Sequence, residues 1–119
     1  MCPTTEADLG DGFLRVVAVR ERGIPLCIGS DSNMRIDPFE ELREIEGIAR
    51  RQTGRRGILS TSELLAIGSA EGARALRLEE WAPIEIDVAH RSLAGVAAEH
   101  VSAALIAGCA ADVVTTEES

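Results

Sequence analysis

Few side chains in this sequence stand where they could do chemistry, and Asp31 is the first of them. It follows the apolar run Ile24-Pro25-Leu26-Cys27-Ile28 and the small residues Gly29 and Ser30. Such a run predicts a buried strand, with Pro25 confined to its first residues. The C-terminal ends of parallel strands are where α/β barrels and open α/β sheets gather their catalytic groups. A carboxylate at that place can take up a proton, return it, or bind a metal. The same position also suits an aspartate that closes a turn through its own side chain, with Ser30, Ser32 and Asn33 serving the same end. Position alone leaves both readings open.

The other reactive residue types give less. His90 and His100 are the only histidines, ten residues apart, and they are read as surface residues. Asp31-x-Asn33-x-Arg35 opens like a calcium loop, but Ile36 stands where the turn glycine is needed and Leu42 where the bidentate glutamate is needed. Gly10-Asp11-Gly12 lacks the third glycine of a dinucleotide loop, and no P-loop is present. Cys2, Cys27 and Cys109 are odd in number and widely spaced, which fits neither a disulfide framework nor paired zinc ligands and points to a reducing, cytoplasmic setting. All 12 basic residues are arginines, so Schiff-base and P-loop lysine chemistry is excluded. With 20 acidic residues the net charge is −8, which disfavours nucleic acids and anionic membrane surfaces as partners. No signal peptide or membrane-spanning run is evident.

The elements that must position these groups are short and punctuated by Gly and Pro. At 119 residues there is room for one core, and the 45% hydrophobic content is that of a globular chain built on Ala, Leu, Ile and Val, with only Phe13, Phe39 and Trp81 as aromatics. Phe13 to Arg22 predicts a helix closed by Gly23, feeding the strand before Asp31. Asp37-Pro38-Phe39-Glu40 carries an N-cap, a proline at the first helical position and a glutamate completing a capping box. From there Phe39, Leu42, Ile45 and Ala49 form a buried stripe, Glu40, Arg43, Glu44 and Arg50 face water, and the Arg50 to Arg56 cluster interrupts the helix. Ser60 with Glu63 repeats the capping pattern ahead of Leu64, Leu65 and Ile67, and Gly72 to Leu78 predicts a further helical turn. Pro83 to Val88 alternates apolar and acidic residues, the mark of a strand wet on one face. Ala94 to Ala107 reads as a helix or a loop with helical turns, and Asp112 to Thr116 as a last strand.

Two motifs resemble a known family. "CPTTEADLGDGF", Cys2 to Phe13, resembles the segment after barrel strand 7 in formimidoylglutamate deiminases of the amidohydrolase superfamily. "IGSDSNMRIDPFEELREIE", Ile28 to Glu46, resembles their strand 8 and the helix that follows. "IEIDV", Ile84 to Val88, and "AADVVTT", Ala110 to Thr116, are similar to the small β-domain that ends such enzymes. The CPTTE, SDSN and EELR wording favours this subfamily over related purine or triazine aminohydrolases. Asp8 departs from the family's usual asparagine.

The resemblance implies an α/β chain corresponding to the C-terminal part of a TIM-like (β/α)8 barrel over residues 1–80, with part of a terminal β-domain over 81–119. It implies a zinc-dependent hydrolase that converts N-formimino-L-glutamate and water to N-formyl-L-glutamate and ammonia in histidine degradation. Asp31 falls on the family's strand-8 aspartate, which binds the metal and moves the proton. The family's metal-binding histidines from strands 1, 5 and 6 have no counterpart here, and one carboxylate cannot hold catalytic zinc. The expectation is therefore a C-terminal piece with no bound cofactor and no activity of its own. An unpaired strand at Ile24 to Ile28 and the apolar stripe of Phe39, Leu42 and Ile45 would then favour self-association. The alternatives are a fragment of a related aminohydrolase, or a non-catalytic small α/β homologue that acts through a partner chain.

Overall fold

A computed structural model describes residues 1–32 and 34–115 of the chain. Six α-helices occur in them: α1 (Pro3–Leu9), α2 (Val16–Glu21), α3 (Pro38–Thr53), α4 (Thr61–Ile67), α5 (Ala70–Ala75) and α6 (Val101–Gly108). Two short strands, β1 (Glu85–Ile86) and β2 (Val114–Thr115), pair antiparallel with Glu85 opposite Thr115 and Ile86 opposite Val114. Helical 3-10 turns at Arg91–Leu93, Ala98–His100 and Ala111–Val113 fill the C-terminal third. Among the described residues no helix is long and apolar enough to cross a membrane.

Helix α3 organises the core because its caps and its periodicity agree. Asp37 is extended, and its Oδ1 accepts from the N–H groups of Phe39 at 3.0 Å and Glu40 at 3.2 Å, satisfying donors that the first helical turn leaves free. Pro38 at N1 gives up no bond. The reciprocal half of the expected capping box is absent, since the Glu40 carboxylate pairs with Arg35 at 3.1 Å instead. The helix continues through Arg50 and Arg51 to Thr53 and stops at Gly54, whose φ of 68° is left-handed. The helix thus ends inside the Arg50 to Arg56 cluster, as expected, with Arg50 and Arg51 in its last turn.

Phe39, Leu42, Ile45 and Ala49 are buried as expected, and they meet Val16, Leu64, Ile67, Leu105, Ile106 and Val113 from the surrounding elements. Burial of each large aliphatic side chain in this cluster contributes about 1.5–3 kcal/mol. Arg43 does not face water as the stripe implied. Its Nε and Nη2 donate to the carbonyls of Ile106 at 2.8 Å and Cys109 at 2.7 Å, which ties α3 to the carbonyl end of α6. Packing is close where α4 ends: a methyl group at Gly68 would lie 2.9 Å from Leu42 Cδ1. Ser60 and Glu63 form the expected capping box at the start of α4.

Several expectations are corrected. Ile24 to Ile28 is not a strand, because a strand exists only through a ladder with a neighbour and no other strand runs beside this segment among the described residues. Ile24 and Pro25 are exposed, and Leu26, Cys27 and Ile28 are partly buried. The Met1 ammonium donates to the Cys27 carbonyl at 2.8 Å, and Gly29 N–H donates to the Met1 carbonyl at 3.1 Å. Phe13 lies outside α2, 64% exposed, with the Arg51 guanidinium 5.9 Å from its ring centre. The Gly23 stop is as expected: Gly23 N–H bonds to Arg20 O and Ile24 N–H to Val19 O, the paired bonds of a glycine-closed helix end. Of Pro83 to Val88 only Glu85 and Ile86 pair, and Asp112 and Val113 belong to a 3-10 turn before β2. Asn33 and Thr116 lie outside the described residues.

Candidate functional site

Asp31 sits on an exposed turn, and its backbone φ of 49° is left-handed. Aspartate tolerates that conformation better than most residues, so the turn is compatible with this side chain without requiring a glycine. What fixes the turn is the first motif. Thr5 Oγ1 donates to the Ser30 carbonyl at 2.9 Å, one peptide before Asp31. Close packing helps, since a methyl group at Gly29 would lie 3.3 Å from Cys2 Sγ.

Thr4 and Thr5 are 5% and 4% exposed, and a carboxylate from another helix holds them in place. Cys2, the N-cap residue of α1, offers no side-chain bond to the free N–H groups of the first turn. Glu41 of α3 supplies it: Thr4 N–H donates to Glu41 Oε2 at 3.0 Å, and the Thr4 hydroxyl donates to Glu41 Oε1. Glu41 is only 2% exposed, and a negative charge at a helix N-terminus is favoured by the helix dipole. Cys2 N–H is met within α1 by Glu6 Oε1 at 2.7 Å.

Sequence reasoning missed Glu41 and a second buried carboxylate, Glu46. Glu46 accepts from Arg50 Nε at 2.8 Å and from the N–H groups of Gly57 at 2.9 Å, Ile58 at 3.2 Å and Leu59 at 2.9 Å. Burial pushes its carboxyl up, but Arg50 and the three backbone donors outweigh that and hold it below the ordinary value. The overlooked signal was spacing: Glu41 lies four residues before Ile45, and Glu46 four after Leu42, so both flank the buried stripe.

The histidines stay apart from this place. His90 Nδ1 lies 2.8 Å from Ser92 Oγ and also accepts from Ser92 N–H, so it caps the 3-10 turn. The fold brings to it a carboxylate that sequence spacing did not show, Asp112 Oδ2, at 3.6 Å from Nε2. His100 is exposed just before α6. Cys2, Cys27 and Cys109 are free thiols. No group of three His, Cys, Asp or Glu among the described residues could hold a metal ion.

Comparison with known proteins gives partial matches to deaminases. The chain is 33% identical over 78 residues to a 5-methylthioadenosine/S-adenosylhomocysteine deaminase of Halobacterium salinarum, covering 63% of this chain and 18% of that protein. It is 32% identical over 87 residues to the protein of the same name from Shouchella clausii, covering 71% of this chain and 20% of the relative. A 5'-deoxyadenosine deaminase of Methanothrix thermoacetophila is 27% identical over 81 residues, covering 66% and 20%. No family model and no solved structure matches the chain. The chain spans about a fifth of the length of these relatives. Over most of its own length it is similar to hydrolytic deaminases of the amidohydrolase type.

Proposed function

We propose that this chain furnishes the aspartate-bearing segment of a hydrolytic deaminase, residues 1–80 belonging to its barrel and 81–119 to its terminal β-domain. The observation that carries the reading is the exposed, left-handed turn at Asp31, held from beneath by the first motif. A carboxylate there can accept a proton from the attacking water and deliver it to the departing nitrogen. Water oxygen bonds to the amidine carbon, the carbon–nitrogen bond breaks, and ammonia leaves. Zinc would be held with ligands outside this chain, Asp31 adding one. The three free cysteines suit a reducing, cytoplasmic setting.

N-formimino-L-glutamate is the substrate we favour, on the CPTTE, SDSN and EELR wording of the two motifs. The names of the relatives favour a second reading, an adenosine derivative. Both compounds present the same N=C–N unit to water, so one mechanism serves either. Self-association belongs to the same proposal, on different surface from that expected. The α3 stripe is buried, whereas Ile36 and Ile84, 72% and 64% exposed, rim an apolar groove of about 670 Å3.

The test is to join the chain to the polypeptide preceding the matched region of the Halobacterium salinarum deaminase, load zinc and assay ammonia. Release from N-formimino-L-glutamate above that from S-adenosylhomocysteine is the expected result. The reverse order would favour the second reading, and release from neither would overturn the deaminase assignment.

A further inference from the structure

The described residues contain a relay that links a buried carboxylate to the turn bearing Asp31. Glu41 grips Thr4 through both its N–H and its hydroxyl, and this fixes the first turn of α1. The next residue, Thr5, then presents its hydroxyl to the Ser30 carbonyl at 2.9 Å. All three side chains are at least 95% removed from solvent, so water cannot substitute for a lost partner without repacking. Asp31 itself is exposed with a left-handed backbone. The Thr5 bond acts on the peptide that leads into it.

We infer that Glu41, Thr4 and Thr5 are positioning residues for Asp31: the Glu41–Thr4 clamp aims the Thr5 hydroxyl, and that hydroxyl fixes the peptide from which the Asp31 carboxylate projects. This rests on the deaminase reading for its significance, but its geometry is independent of any substrate. It also gives the two motifs a joint physical meaning. CPTTE supplies Thr4 and Thr5, EELR supplies Glu41, and the turn at Ser30 and Asp31 is what they hold.

The experiment uses the whole chain, labelled for NMR, and reads the Cα and Cβ shifts of Asp31 and the shift of its amide, which shares a peptide with the Ser30 carbonyl. Thr5→Val is nearly isosteric and removes only the donor, and Thr5→Ser restores it. The wild type should show left-handed shifts at Asp31. Thr5→Val should move them toward extended values while the shifts of α6 stay in place, and Thr5→Ser should bring them back. Glu41→Gln, which puts an amide nitrogen where one bond was accepted, should move them the same way. A purely structural role would shift signals throughout the core and would not be rescued at Asp31 alone. Unchanged Asp31 shifts in Thr5→Val, or extended shifts already in the wild type, would overturn the relay. Absence of ammonia release from the joined protein would instead overturn the deaminase reading and leave these shifts as they are.

Discussion

Glu63 shows how much one carboxylate can do at an exposed helix start. Ser60 N–H donates to it at 2.8 Å, the Ser60 hydroxyl bonds to it as well, and Arg20 Nε reaches it at 2.9 Å. These bonds, the Ser60 backbone donor first, depress its carboxyl to about 2 from an ordinary 4.5. A depressed folded value means stability that is fully present above about 4.5 and lost as pH falls toward about 2. Glu46, held below its ordinary value too, adds in the same direction. The stability of Glu63→Gln should thus fall less steeply with acid than that of the wild type. Urea unfolding midpoints at two pH values within that window check this, and parallel pH dependences would contradict it. Asp37 and Ser60 could be read in the sequence because a cap and its partners lie within three residues. Glu41 could not, since the Thr4 it holds lies 37 residues away and only the fold brings them together.

Among the elements, α3 was the most readable, because caps, proline and a stripe of spacing three and four all agree on one helix. The segment from Ile24 to Ile28 was the least. Its composition is that of a strand, but composition does not supply the neighbour whose N–H and C=O groups make a strand. Leu26, Cys27 and Ile28 N–H have no backbone acceptor among the described residues. Their amide hydrogens should therefore exchange far faster than those of Ile45 and Ala49 in α3. Protection of Leu26 and Ile28 at the level of α3 would show that the segment is laddered after all. The same reasoning explains the two-residue β1: alternation ran from Pro83 to Val88, but only Glu85 and Ile86 find a partner in β2.

At the scale of the whole molecule, the described residues build one core around α3 and present Asp31 on the surface, and no group of three His, Cys, Asp or Glu among them could hold a metal ion. Dialysed against dilute zinc, the isolated chain should retain far less than one equivalent. Stoichiometric retention at micromolar affinity would show a site in this chain that its ligand count does not provide. If Asp31 moves the proton in a deaminase, as we propose, ammonia release by the zinc-loaded joined protein carrying Asp31→Asn reads it directly. Asparagine is nearly isosteric and cannot accept the proton, so turnover should fall on the order of 10²–10⁴-fold with the fold retained. Asp37→Ala in the same protein should cost about 1 kcal/mol of stability and leave the rate per folded molecule nearly unchanged. Asp31→Asn retaining more than about a third of the original rate at full zinc occupancy, far short of the loss expected of an acid–base group, would contradict the account and leave Asp31 as a turn residue.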